Sequence, residues 1–248
     1  MRLLLIDNSN TRTKLTLSLP GGAFQHTCWI PTADVSPEAL ETTLGNLSFD
    51  GAVICSVVPE KSRILHDFLA PRVPVHHLTA ESPLEIGIDY PEPDRIGADR
   101  LANAVGVVAR HQAPAVVIDF GTAVTFDVVS AAPSYLGGVI APGLGAMGEY
   151  LGRKTALLPL IDLEEPAHAI GRSTVEAMRA GAVIGYRGLV REILASIRRE
   201  LPGDAIAVAT GGDAALIARG VPEIQRVDSE LTLHGIELVG RRHFGALP

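Results

Sequence analysis

The sequence predicts an α/β protein built of two related halves, each opening on a β-hairpin, and three observations carry that prediction. First, "LLLIDNSNTRTKLTLS" (residues 3–18) and "AVVIDFGTAVTFDVVS" (residues 115–130) share one grammar. Each has an apolar run ending in Ile-Asp, a short polar turn, and then an alternating strand. Second, helix-like and strand-like segments follow each hairpin, as mixed α/β layers require. Third, 47% of the 248 residues are hydrophobic but only 4% are aromatic, so the core is packed from Val, Leu, Ile and Ala.

The elements can be justified in order. After the first hairpin, "PEALETTLGNL" reads as a helix beginning after Ser36, "GAVICSVV" as an apolar strand and "PVHHL" as a short one. In "GADRLANAVGVVARH", Leu101, Ala104, Val105 and Val108 recur at helical spacing and make one apolar face. Pro114, in "HQAP", marks the expected boundary, giving domains 1–113 and 114–248. After the second hairpin, "TVEAMRAGAVIGYRGLVREILASIRREL" is a long helix, "AIAVAT" a strand, and "DAALIARG" a short helix closed by Gly220.

Composition excludes several classes. A net charge of −7 argues against a nucleic-acid binder, which presents a basic face. Cys28 and Cys55 are too few for a disulfide framework or a cysteine metal site and suit a reducing compartment. The apolar run Leu3–Ile6 is too short for a signal peptide, and no segment reaches the roughly eighteen apolar residues of a membrane span. A cytoplasmic location, with no membrane partner, is therefore expected. The eight histidines show no metal-ligand spacing, and His76 and His77 point to opposite sides of any strand. No Walker A sequence is present.

Two mixed halves that each begin with an acid-bearing hairpin resemble the ribonuclease H-like, actin-like ATPase superfamily of acetate kinase, sugar kinases, actin and Hsp70. That resemblance implies a cleft in which the two turns hold ATP phosphates and metal. Hairpin amides and hydroxyls donate to phosphate oxygens, Lys14 neutralises charge, and Asp7 positions a hydrated Mg²⁺. The ordered set "DNSNTRTK", "YPEPDRIGADR", "DFGTAVTFD", "GGVIAPG", "GRSTVEAMRAG" and "ATGGD" further resembles the type III pantothenate kinases over essentially the whole chain. The family transfers the ATP γ-phosphoryl group to the 4′-hydroxyl of pantothenate, the first step of coenzyme A synthesis.

The resemblance implies roles by position. Asp7, Asn8, Ser9, Asn10, Thr11, Arg12, Thr13 and Lys14 match the first phosphate loop, Thr122 a second phosphate contact, and Gly211 with Gly212 the adenosine segment. Tyr90, Gly97, Ala98, Asp99 and Arg100 match the pantothenate site, with Asp99 as general base. Asp119 matches the ligand of a monovalent cation, K⁺ or NH₄⁺, and Thr174 a pantothenate contact near the interface of a homodimer. One departure stands out: Ser9 occupies a position where the family's loop commonly has glycine. If positive φ is needed there, serine costs on the order of 1 kcal/mol.

Each role has a plainer competitor. Asp99 reads equally as the N-cap of the helix starting at Leu101, where helix amides would lower its pKa. Arg100 could pair with Asp94 on the surface, Tyr90 could pack on the core, and Thr174 could be a cap. Asp127, alternating with Phe126 and Val128, reads as solvent-facing. "GLGAMG" (residues 143–148) formally matches a dinucleotide loop, but Pro142 separates it from the preceding apolar run. It is taken as the family's Gly-rich segment along the substrate cleft. A different acceptor on the same fold, a regulator without turnover, and a Rossmann oxidoreductase are the remaining alternatives. Asp7, Lys14, Asp99, Asp119 and Thr122 together argue against the regulator.

Overall fold

In the computed structural model, which describes residues 1–246, the chain forms two compact units: Met1–His111 with the segment from Glu230 onward, and Gln112–Ser229. The first unit carries a five-stranded sheet in the order β3-β2-β1-β4-β5. Its strands are β1 (Leu3–Asn8), β2 (Arg12–Ser18), β3 (Phe24–Pro31), β4 (Gly51–Ser56) and β5 (Val75–His77). β1 runs antiparallel to β2 and parallel to β4. Because β1 is covered on both faces, its residues are apolar on both: Leu3 and Leu5 face one side, Leu4 and Ile6 the other.

Leu4 and Ile6 pack with Leu40 of α1 (Pro37–Leu44) and with Leu65 and Leu69 of α2 (Pro59–Leu69). Ser36 caps α1, its hydroxyl accepting from Ala39 N at 3.2 Å, as the sequence indicates. Leu3 and Leu5 pack on the opposite side with Leu101 and Val105 of α3 (Ala98–Arg110) and with Ile236 of the last helix. A two-residue strand, β6 (Gly87–Ile88), lies in the loop before α3.

The second unit repeats the plan. β7 (Ala115–Phe120), β8 (Ala123–Val129), β9 (Ser134–Pro142), β10 (Ile206–Gly211) and β11 (Arg226–Val227) lie in the order β11-β10-β7-β8-β9. β7 runs antiparallel to β8 and parallel to β10, as β1 does to β2 and β4. The long helix α5 (Thr174–Glu200) buries Val183, Tyr186, Val190 and Leu194 against Ile118, Phe126 and Ala207. α4 (Leu144–Lys154) and α6 (Ala214–Ala218) complete the unit.

Several expectations need correction. The division at 113/114 assigned the chain's end to the second half, but α7 (Leu231–His243) joins the first unit. Added Cβ atoms at Gly235 and Gly106 would collide with Ala102 O and Leu231 O, so the two helices touch through bare backbone. Asp127 is fully buried and accepts from the Thr125 hydroxyl at 3.3 Å rather than facing solvent. The reading of Gly220 holds: α6 ends at Ala218, Gly220 N closes it by donating to Ile217 O at 3.1 Å, and the missing side chain also makes room for Arg187. "YLGGVIA" is the strand β9, antiparallel to β8, which agrees with the reading that the glycines after it are not a β-α-β dinucleotide loop.

Candidate active site

In the first unit the site is built where β1 and β2 turn and where α3 begins. The turn is held from behind. Buried Asn8 donates from Nδ2 to Thr13 Oγ1 at 2.7 Å and accepts from Ser56 Oγ at 2.6 Å. Thr32 donates to Ser9 O at 2.7 Å and lies 3.1 Å from the Thr13 hydroxyl. Asn8 and Thr13 therefore shape the loop, while Asn10, Thr11 and Arg12 are its exposed rim.

Ser9 does not take positive φ; among the described residues the two non-glycine residues that do are His26 and Glu85. The anticipated strain is thus missing, and the Ser9 hydroxyl donates to Asp7 Oδ1 at 3.0 Å. Ladder register sets Lys14 beside Asp7, and side chains paired in this way share a sheet face. Burial pushes the Asp7 carboxyl above its ordinary 3.8, and the charge of Asp99 adds to the rise. Ser9, Lys14 and Arg12 oppose it.

Asp99 stands in the first turn of α3, whose N-cap is Gly97, so it is not the cap itself. Its Oδ1 accepts from Arg100 N at 2.8 Å. The expected lowering by helix amides is overturned: burial dominates and raises the carboxyl, against the pull of that amide and of the Arg100 charge. An added Cβ at Gly97 would lie 2.6 Å from Asp99 Oδ1, so glycine there leaves space for the carboxylate. Ala98 is buried, and Arg100 is half-buried beside Asp99. Tyr90 remains 37% exposed, which rules out simple core packing.

In the second unit the equivalent turn carries Asp119 and Thr122, and Gly211 lies beside Asp119. β10 lies alongside β7, with Thr210 opposite Asp119 and Gly211 opposite Phe120. Gly211 has φ of +90°, and a Cβ there would meet Phe120 O at 2.5 Å and Asp119 Oδ1 at 2.6 Å, so only glycine fits. Gly212 follows it, exposed. Gly143, which opens the Gly-rich segment read from the sequence, donates from its N to Thr122 O at 3.1 Å and has no room for a side chain against Gly121 O and Thr122 O. Tyr186, which sequence reasoning missed, donates to Pro142 O at 3.1 Å just before it. Thr174 is exposed at the first position of α5; Ser173 is the cap, accepting from Glu176 N at 3.2 Å.

An acid-bearing hairpin repeated on one sheet topology, with a parallel strand beside each acid, defines the actin-like ATPase and sugar-kinase fold. Solved structures agree. A Baf family protein from Campylobacter jejuni superimposes with a TM-score of 0.65 at 19% identity, over 98% of this chain and all of that one. The activator of 2-hydroxyisocaproyl-CoA dehydratase from Clostridium difficile, solved with bound ADPNP, does so at 0.54 and 11%, over 100% and 99%.

Within that class, the chain belongs to the type III pantothenate kinase family, whose model matches residues 3–196. A type III pantothenate kinase of Akkermansia muciniphila is 56% identical over 96% of this chain and 98% of that protein. One from Methylacidiphilum infernorum is 43% identical over 96% and 88%.

Proposed function

We propose that this protein phosphorylates pantothenate on its 4′-hydroxyl with ATP, the opening step of coenzyme A synthesis. The reading is carried by Asp7 and Asp99, two carboxylates from distant points of the sequence that burial disfavours as anions, with the charge of Asp99 adding to the rise at Asp7. Such a pair is poised for cationic and protonated partners. Asp99 orients the acceptor hydroxyl and takes its proton late, as a loose phosphoryl-transfer transition state allows. Arg100 and Tyr90 hold the rest of the acceptor.

The Asp7–Lys14 loop, Thr122, Gly211 and Gly212 bind ATP, with Lys14 as the tethered cation. Asp7, whose buried charge calls for compensation, would hold a hydrated Mg²⁺, which when bound screens the charge of the phosphates. Asp119 would hold a monovalent cation, K⁺ or NH₄⁺.

The test is ATP-dependent formation of phosphopantothenate, followed by mass spectrometry, in potassium and in sodium. Turnover is expected in potassium and much less in sodium. Equal rates would remove the potassium site, and no phosphopantothenate in either salt would remove the pantothenate assignment.

We also infer a homodimer through α5. Gly181, Ile184, Gly185 and Gly188 make an exposed stripe opposite the helix's buried face, and Cβ atoms added at the three glycines would enter open space. Glycine inside a helix costs roughly 0.8–1 kcal/mol against alanine, so three on one exposed face suit a close backbone approach by a second copy. In such a dimer Thr174 would serve the pocket of the other protomer. Asp99→Asn and Thr174→Arg would then each be nearly inactive, yet mixing them should restore about a quarter of wild-type sites by random pairing. Heterodimers confirmed by native mass spectrometry but still inactive would place Asp99 and Thr174 in one chain's pocket.

A further inference from the structure

Away from the kinase residues, the edge strand β5 carries two adjacent histidines that leave on opposite faces, and each meets a second histidine. His76 stacks on His243 of α7, with ring centroids 3.8 Å apart and planes 19° apart, and its Nε2 lies 2.9 Å from the Ser82 hydroxyl. Nearly parallel rings send their in-plane lone pairs side by side, so these nitrogens do not converge. His77 instead meets His66 of α2 head on, with His66 Nδ1 and His77 Nε2 separated by 2.9 Å.

We propose that His66 and His77 form a bidentate site for a divalent transition-metal ion whose remaining positions are filled by water. Imidazole–metal bonds of about 2.0–2.1 Å place two ligands at a right angle about 2.9 Å apart. A tetrahedral bite would need about 3.3 Å. The observed separation lies nearer the right-angle bite, so Cu²⁺ or Ni²⁺ needs less ring movement than Zn²⁺. With centroids 5.1 Å apart, the rings point along their hydrogen bond and turn for both lone pairs to reach one ion. Two imidazoles without a carboxylate suit neither Mg²⁺ nor Ca²⁺, so the site is chemically separate from the metal that accompanies ATP.

The surroundings support the assignment. Ser62 Oγ lies 3.4 Å from His77 Nδ1. In the tautomer where His77 Nδ1–H donates to this hydroxyl, the Nε2 lone pair is free and faces His66. Both rings are half-buried, held by the last turn of α2 and the end of β5, which leaves a path from solvent. In the metal-free pair one of the two facing nitrogens donates to the other; moving that proton to the far nitrogen of its ring frees both lone pairs. Among the described residues no cluster of three or more His, Cys, Asp or Glu gathers as a metal site, so water must complete the shell.

The experiment titrates the full, tag-free chain with Ni²⁺ by calorimetry in Mg²⁺-containing buffer. A single Ni²⁺ per chain is expected. Affinity should fall by more than about tenfold in His66→Ala and in His77→Ala, whereas His76→Ala and His243→Ala titrate like wild type. Because the ion joins α2 to β5 only in the folded chain, Ni²⁺ should raise the wild-type melting temperature and not that of the two ligand variants. On wild type alone, pulsed electron paramagnetic resonance of bound Cu²⁺ should show two equatorial imidazoles. Unchanged affinity in either folded ligand variant, no Ni²⁺ binding by wild type, or fewer than two imidazoles on Cu²⁺ would overturn the proposal.

Discussion

The two hairpins share one topology, differ in register by one residue and are locked in opposite ways. In the first, the ladder closes at Asn8 and Thr13 and leaves a turn of four residues, Ser9 to Arg12; in the second it closes at Phe120 and Val124 and leaves three, Gly121 to Ala123. Beside the closing residue, the parallel strand presents Ser56 in one unit and Gly211 in the other. The Ser56 side chain bonds Asn8 at 2.6 Å, whereas Gly211 fits because it has no side chain at all. Across the ladder, Asp7 faces Lys14 and Asp119 faces Thr125. A duplicated frame thus carries two chemistries: one acid with a tethered ammonium across from it, and one with a neutral hydroxyl in that place, where we propose that a cation from solution takes the corresponding role.

The largest expected effect breaks the first unit's chemistry while sparing its fold. Asp99→Asn should lower kcat by at least about two orders of magnitude, the scale of a general base. Its stability should move the other way. A carboxyl whose folded pKa is raised above its unfolded value contributes stability that is present below the unfolded pKa and is lost as pH rises through the folded one. As pH rises through the folded pKa, wild-type Asp99 loses that contribution, and the neutral amide escapes the loss. Melting curves should show the Asp99→Asn variant gaining on wild type as pH rises, with the difference closing in acid. The acid limb of wild-type kcat/KM should also lie above the ordinary 3.8, since protonation of Asp99 removes the base.

Thr125→Lys would sharpen the contrast by giving the second hairpin the tethered cation of the first. Its rate in sodium should then approach its rate in potassium; a preserved potassium requirement would show that the ladder position opposite Asp119 does not govern the cation. Gly211→Ala attacks the second lock, where backbone strain alone is about 1–3 kcal/mol and the new methyl strikes Phe120 O and Asp119. A lower melting temperature and a higher KM for ATP are expected.

Asn8→Ala attacks the first lock. It strips partners from the Thr13 and Ser56 hydroxyls, a loss of about 1–3 kcal/mol readable in urea unfolding. The smallest effect is expected from Ser9→Gly, because the position does not call for positive φ. It should destabilise by no more than about 1 kcal/mol through chain entropy and the lost bond to Asp7. A gain in stability from Ser9→Gly would mean that the turn is strained after all.

Much of this comparison was legible in the residues. Ile-Asp at the end of two apolar runs marked both hairpins, because a strand buried on both faces must be apolar throughout and its first charge must fall at its exit. Ser36 before Pro37 marked α1, and the spacing of Leu101, Ala104 and Val105 marked α3, since capping and amphipathic period are local properties. What stayed hidden was decided at long range. The sequence reading passed over α2 and α7; α7 packs on α3 through glycines at 106 and 235, which by themselves read as weak points in a helix. Asp127 looked exposed because alternation distinguishes faces but does not say whether the second face is covered.

By itself, then, the sequence determined the repeat, most of the strands, the acids at the strand exits and the family motifs. All of these follow from residue type and short-range spacing. Only the tertiary structure decided that Asp99 is raised rather than lowered, because burial by distant elements outweighs the amides of its own helix turn. It also decided that Ser9 is unstrained, that Gly211 is required by the carboxylate beside it, and that His66 and His77 meet at hydrogen-bonding distance. Each depends on which residues pack together across the fold, a matter of desolvation and contact that spacing along the chain does not encode.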